Sequence, residues 1–153
     1  MAFGKLITNN KKAYHDYSII STIEAGIVLF GDEVKSIRAG KINLTGSFAT
    51  VHQGELYIIN CHISPYEKSS LKQDEEYVRR RRKLLLHKRE LNRIIGDISK
   101  KGVTVIPLKF YFNEKSKIKV EIGIGKHKNA EGKKEVLKER DIKRETQREL
   151  KRY

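Results

Sequence analysis

Two hydrophobic rhythms alternate along this chain, one of period two and one near 3.6, with polar turns between them. Period two predicts strands over Tyr17 to Ile23 and Ile27 to Phe30, parted by a turn at Glu24-Ala25-Gly26. It predicts a hairpin from Phe48 to His52 and Leu56 to Ile59 about Gln53-Gly54. A strand over Val103 to Phe112, a turn over Asn113 to Ser116 and a strictly alternating strand over Lys117 to Ile124 follow. Gly31-Asp32 breaks the pattern ahead of a short helix through Glu33 to Arg38, stopped at Gly40. Pro65 begins a polar loop. From Asp74 to Ile95 the spacing predicts one long helix: Tyr77, Leu84 and Leu91 recur every seventh residue, with Val78, Leu85 and Ile95 on the same face. Asp74-Glu75-Glu76 suit the positive end of its dipole and Gly96 its stop.

Several short strands with one long helix predict an α+β, mainly β domain. A small closed or partly closed barrel fits, the oligonucleotide-binding (OB) fold among others, and periodicity leaves other α+β arrangements open. The 153 residues suffice for one core. We place that body at residues 1–124 and a basic tail at 125–153. The tail carries 11 Lys/Arg against 6 Asp/Glu, and its only large aliphatic residues are Val136, Leu137, Ile142 and Leu150. In a helix, Arg140, Arg144, Arg148 and Arg152 would form one stripe beside Asp141, Glu145 and Glu149. Attraction between the stripes and repulsion along each roughly cancel. Without an apolar face, the tail is expected to be disordered in isolation and helical on a polyanion.

A net charge of +14 points to such a partner, since Lys/Arg displace counterions from nucleic-acid phosphates. The densest cluster is Arg79-Arg80-Arg81-Arg82-Lys83, followed by His87-Lys88-Arg89 and Arg93. On the expected helix this self-repelling face predicts RNA contact. No apolar run nears the ~20 residues that span a bilayer, the tail lacks a membrane-binding face, and no signal-like stretch opens the chain, so no membrane partner is expected. Cys61 is the single cysteine, which suits a reducing cytoplasm. The histidines lack metal-site spacing, and Cys61-His62 reads as two strand-end neighbours rather than a ligand pair. Gly123-Ile124-Gly125 has Lys128 where a dinucleotide loop needs its third glycine, and no P-loop appears. No metal, no cofactor and no catalytic activity are expected. Glu33, beside Lys35 and Arg38, suits binding better than catalysis: its carboxylate can accept hydrogen bonds from a base or hold neighbouring cations.

Certain blocks also resemble a known family. Gly31 to Gly40 with Asn43-Leu44 and Ser47-Phe48, and Asn10 to Tyr17, are similar to signatures of the bacterial SsrA-binding protein family, SmpB. Arg82 to Leu91, Gly102 to Leu108 and Lys138 to Asp141 extend the likeness in order over nearly the whole chain. The resemblance implies an OB-type barrel with accessory helices and a non-enzymatic adaptor, in the cytoplasm, as a monomer on one RNA. Such an adaptor binds the tRNA-like domain of transfer-messenger RNA and delivers it to stalled ribosomes for trans-translation. Its tail occupies the small-subunit decoding centre and the empty mRNA channel. A constitutive ribosome-associated RNA-binding protein is the alternative. By position, Asn10, Lys11, Lys12, Glu33, Lys35, Ser36, Arg38 and Asn43 would face the tRNA-like domain, joined by Lys88, Arg89 and Leu91. Lys126, Lys128, Lys133, Lys134, Lys138 and Arg140 would meet ribosomal RNA, with His127, Arg144 and Arg148 beside them. One departure is visible: the family's Asp-Lys-Arg and the ring before it become Gly132-Lys133-Lys134 and Glu131, so the cations stay and the stacking ring does not. On this reading, charge reversal at Glu33 weakens RNA binding and leaves the fold intact.

Overall fold

The computed structural model describes residues 5–66 and 74–128. The chain opens with β1 (Lys5–Asn9) and α1 (Lys11–Asp16), then runs through the long β2 (Tyr17–Ile27) into α2 (Gly31–Arg38) and the short β3 (Ile42–Asn43). The hairpin β4 (Phe48–His52) and β5 (Glu55–Ile59) comes next, then β6 (His62–Ile63), which pairs with β3. A single turn, α3 (Glu75–Val78), precedes β7 (Arg82–Leu85). Last come α4 (Lys88–Lys101), β8 (Thr104–Phe112) and β9 (Ile118–His127).

The strands close on themselves. The order β8–β4–β5–β7–β2–β9 returns to β8 through antiparallel pairing from Thr104↔Gly125 to Phe112↔Ile118. β1 and β4 lie along different stretches of β8, at Lys109 to Phe112 and at Val105. Closure leaves few backbone groups unpaired at edges, which a small β domain needs. The interior holds Leu56, Ile58, Leu84, Val105, Phe110, Val120 and Ile122, and Ile37 from α2 and Ile94 from α4 join the same cluster. This is a mainly β barrel of the OB type with accessory helices.

Most expected elements are present. The 48–59 hairpin turns at Gln53 and Gly54 with φ of 51° and 77°, the paired positive values that match strand twist. Asn113 organises the 113–116 turn: its Oδ1 accepts from the N–H groups of Lys115 and Lys117, each at 2.9 Å.

Three expectations are corrected. The turn at Glu24-Ala25-Gly26 is absent: β2 runs straight through it, because Glu24 and Ala25 pair with Glu121 and Val120, and Gly26 pairs with Leu85. The single helix over 74–95 is three elements. Asp74 does cap a helix, accepting from Tyr77 N–H at 3.0 Å, but that helix ends at Val78. Residues 82–85 then pair with β5 and β2, and a new helix starts at Lys88. The seven-residue repeat of Tyr77, Leu84 and Leu91 is a coincidence of α3, β7 and α4. Gly96 lies inside α4; the stop is Gly102, left-handed at φ 65°.

The last strand also passes the expected end of the body, pairing Ser18 with Lys126 and Tyr17 with His127. Here Gly123-Ile124-Gly125 finds its purpose in packing. A Cβ on Gly125 would lie 2.4 Å from the Ser18 carbonyl oxygen, and one on Gly123 2.6 Å from Leu108 Cδ1. Gly125→Ala should therefore cost about 1–3 kcal/mol through forced strand displacement. The check is a lowered urea midpoint with an unchanged m-value.

Candidate nucleic-acid interface

α1 and the end of β9 form one basic corner. Asn10 caps α1 by accepting from Ala13 N–H at 3.2 Å, and its amide donates to the carbonyls of Pro107 (3.1 Å) and Leu44 (3.3 Å). It is buried, and these bonds fasten the helix to β8. The neighbouring Lys11 and Lys12 are exposed, Lys12 pairing with Asp16 at 3.1 Å. Lys128 reaches the Tyr14 carbonyl at 3.2 Å, and His127 packs edge-on to Tyr17. The end of β9 thus meets α1 and the start of β2 through Lys128 and His127, although the sequence assigned the two segments to different surfaces. The remaining expected tail contacts, Lys133, Lys134, Lys138, Arg140, Arg144 and Arg148, lie outside the described residues.

At another place on the barrel, charge is turned inward. Glu33 sits in the first turn of α2, where its Oε1 accepts from Phe30 N–H at 2.9 Å. Arg80 grips the same carboxylate from Nη2 (2.6 Å) and Nε (3.0 Å). Arg82, fully enclosed, donates to it from Nε at 2.9 Å. Its Nη2 also lies 2.8 Å from Glu33 Oε2, and the guanidinium donates further to carbonyls, chiefly those of Cys61 (2.8 Å) and Val78 (2.9 Å). Burial pushes the Glu33 carboxyl up, but hydrogen bonds from Arg80, Phe30 N–H and Arg82 outweigh it and hold the pKa below the usual range. The basic run is accordingly no solvated helix face. Arg80 lies over the Phe30 ring at 4.0 Å, Arg79 bonds Glu75 and Asn60, and Lys83 approaches Glu55 at 3.8 Å. Glu33 takes the second role open to it, holding cations, and cannot reach a base.

Ser36 is buried too, donating to the Ser64 carbonyl at 2.7 Å. Leu91 packs toward the core. Of the other expected contacts, Lys35 is exposed over Tyr66 at 5.2 Å, Arg38 is exposed 6.0 Å from the Phe112 ring centre, and Asn43 is exposed with its Oδ1 accepting from Thr45 N–H. Lys88 and Arg89 are exposed in the first turn of α4, where cations oppose the helix dipole.

What the sequence did not reveal is a groove across the outer surface. Gly26 forms its floor, Leu85 one wall at 49% exposure, and Leu29, Val34 and Arg38 the side toward α2. Lys117 and Lys119 complete it, enclosing about 440 Å³. A hollow of about 310 Å³ continues past Gly26, Leu85 and Lys119 to Glu24, His87 and Glu90. Cations (Arg38, Lys117, Lys119) and apolar side chains (Leu29, Val34, Leu85) line the first hollow together, and the second adds the carboxylates of Glu24 and Glu90. Glu24 also accepts a hydrogen bond from the buried Tyr111 hydroxyl. Burial foremost, then that bond and the Glu24 and Glu121 charges, raises the Tyr111 pKa. Leu85 was hidden because a helical reading put it on the same face as Leu84; in a strand the two point to opposite faces.

Among the described residues no group of three His, Cys, Asp or Glu is placed to hold a metal ion, and no helix is long and apolar enough to cross a membrane. Fold and surface together define a basic barrel protein of the oligonucleotide-binding class. The SmpB protein family model matches residues 7–152, and the chain belongs to that family. The SsrA-binding protein of Coprothermobacter proteolyticus is 49% identical over 147 residues, covering 95% of this chain and 96% of its own. That of Halalkalibacterium halodurans is 51% identical over 148 residues, covering 97% and 94%. A solved chain described as "tmRNA-SmpB: a journey to the center of the bacterial ribosome" superposes with a TM-score of 0.65 at 53% identity, over 80% of this chain and 85% of that one.

Glu33→Ala should cost about 3–5 kcal/mol at neutral pH by stranding buried Arg82. This replaces the expectation of an intact fold. Because the folded carboxyl has the lower pKa, its stabilisation is complete above the unfolded value and fades as pH falls through the folded one. Urea melts across pH 7 to 3 should show the gap between variant and wild type narrowing on acidification. Burial also pushes the Cys61 thiol up to about 12. Iodoacetamide at pH 8 should leave the native protein unmodified and label it only in denaturant.

Proposed function

We propose that this chain is the RNA-binding adaptor of trans-translation: it holds the tRNA-like domain of transfer-messenger RNA and brings it to ribosomes stalled without a stop codon. Family membership supports this job, and the relatives are named for binding SsrA. The observation that carries the reading at residue level is the Gly26–Leu85–Lys119 groove, where cations, an apolar wall and carboxylates line one continuous surface.

In this reading Arg38, Lys117 and Lys119 hold phosphates, Leu85 packs on a base or ribose, and Glu24 accepts from base amino groups. Lys35, Asn43, Lys88 and Arg89 flank them. Asn10, Glu33, Ser36 and Leu91 act by fixing the elements that carry the contacts. Lys11, Lys12, Lys126, His127 and Lys128 form a second basic corner from which residues 129–153 set out. Those residues enter the decoding centre and the vacant mRNA channel, where Lys133, Lys134, Lys138, Arg140, Arg144 and Arg148 meet ribosomal RNA. The work is binding and delivery in the cytoplasm, without turnover or cofactor, by one protein on one RNA.

Leu85→Asp should weaken binding to the tRNA-like domain at least about tenfold, as expected for an apolar contact at the centre of an interface. Lys119→Glu should lower both affinity and the dependence of log K on log salt. Gel shifts at three salt concentrations check both, and wild-type affinity for Leu85→Asp would sink the groove assignment. A chain cut after Lys128 keeps all of β9. It should bind the RNA normally yet fail to tag products of stalled ribosomes in a purified translation system.

A further inference from the structure

Four arginines stand in a row at 79–82, and among the described residues three of them meet a carboxylate: Arg79 at Glu75, Arg80 and Arg82 at Glu33. Arg81 does not. Its guanidinium lies over the Tyr57 ring, 4.9 Å from the centre, and the residue is exposed. Tyr57 is the cross-strand partner of Lys83, and His52 meets its ring edge-on at 6.1 Å. These residues share the outer face of the barrel with the groove. Side chains alternate along β7, so Arg82 and Leu84 are buried while Lys83 and Leu85 face out.

The register makes the surface continuous. Leu85 pairs with Gly26 at the groove floor. One step along, Lys83 accepts Val28 N–H on one side and pairs with Tyr57 on the other, and Val28 is 43% exposed. Arg81 directly precedes β7. Outward residues two apart on a strand are about 6.6 Å apart, so Leu85, Lys83 and Arg81 form a track whose cations lie beyond the apolar wall. A guanidinium seated on an aromatic ring has one plane covered and the other open. An open plane beside a phosphate-seeking lysine is what a splayed-out RNA base stacks on.

We propose that the RNA held in the Leu85 groove continues across β7 onto β5, where Arg81, backed by Tyr57, stacks an unpaired base and Lys83 meets the adjoining phosphate. The proposal rests on the groove reading above and extends it to Arg81 and Tyr57, which lie outside the blocks that carry the family resemblance. Because Lys83 has Glu55 within 3.8 Å, it contributes less than an isolated cation; Arg81 is the contact that decides.

The test uses the full-length protein and the tRNA-like domain of transfer-messenger RNA, with affinity measured against salt. Arg81→Lys keeps the charge and loses the plane. It should bind about tenfold more weakly with an unchanged salt slope. Arg81→Ala should lose at least as much, with the slope reduced by about one. Tyr57→Leu, which keeps an apolar side chain under Arg81, should match Arg81→Lys. Wild-type affinity in both Arg81 variants overturns the proposal, as does a loss seen only in ribosome co-sedimentation while binding to the RNA is unchanged. Leu85→Asp run in parallel separates the two ideas. If it alone weakens binding, the track fails and the groove stands; if neither it nor the Arg81 variants do, both fail.

Discussion

One enclosed charge organises this protein: the Arg82 guanidinium, which has no access to water. An arginine cannot shed its proton to escape burial, so the fold must bring partners to it. It brings the Glu33 carboxylate from α2 and carbonyls from Tyr77, Val78, Arg80 and Cys61. These groups come from α2, from the segment after β5 and from α3, so a single side chain sets how three parts of the chain meet at β7. Replacing such a knot by apolar groups would cost little in principle; removing one member costs much. Its value lies in specifying one arrangement.

That arrangement fixes which basic residues face outward. With Arg80 and Arg82 committed to Glu33, alternation along the strand leaves Arg81, Lys83 and Leu85 on the opposite face. Gly26, directly across from Leu85, leaves the gap between Leu85 and Lys119 unfilled. The surface proposed for RNA is therefore the complement of the knot, made of what the buried charges do not use. Total charge favours a polyanionic partner, and this local arrangement sets which cations and apolar side chains face it.

Much of the barrel was legible in the sequence wherever local chemistry and partner agreed. The hairpin at Gln53-Gly54, the turn at Asn113 and the alternation before Ile124 depend on residues close in sequence, and each formed as expected. The helix expected over Glu33 to Arg38 formed too, but it begins two residues earlier, at Gly31, with Glu33 closing on its own N-terminus. The 74–95 segment failed for the opposite reason. Its basic and leucine-rich residues have good helix propensity, but strand pairing with Tyr57, Ile58, Gly26 and Ile27 supplies hydrogen bonds and burial that propensity does not match. The site suffered from the same mistake, since face assignments on a helix and a strand differ. Glu33 was recognised as a binder of cations or bases; which of these it bound depended on arginines 47 and 49 residues away.

By itself the sequence determined the class of partner, the family and most of the element order, because charge, turn residues and signature blocks are local properties. Tertiary structure decided which cations are buried and which are presented, that Lys126 to Lys128 lie beside α1, and that Leu85 belongs to a groove. Those outcomes depend on strand register, and a shift of one residue moves every side chain to the other face. Only the closed barrel, in which β2, β4, β5, β7, β8 and β9 each lie between two others, fixes that register.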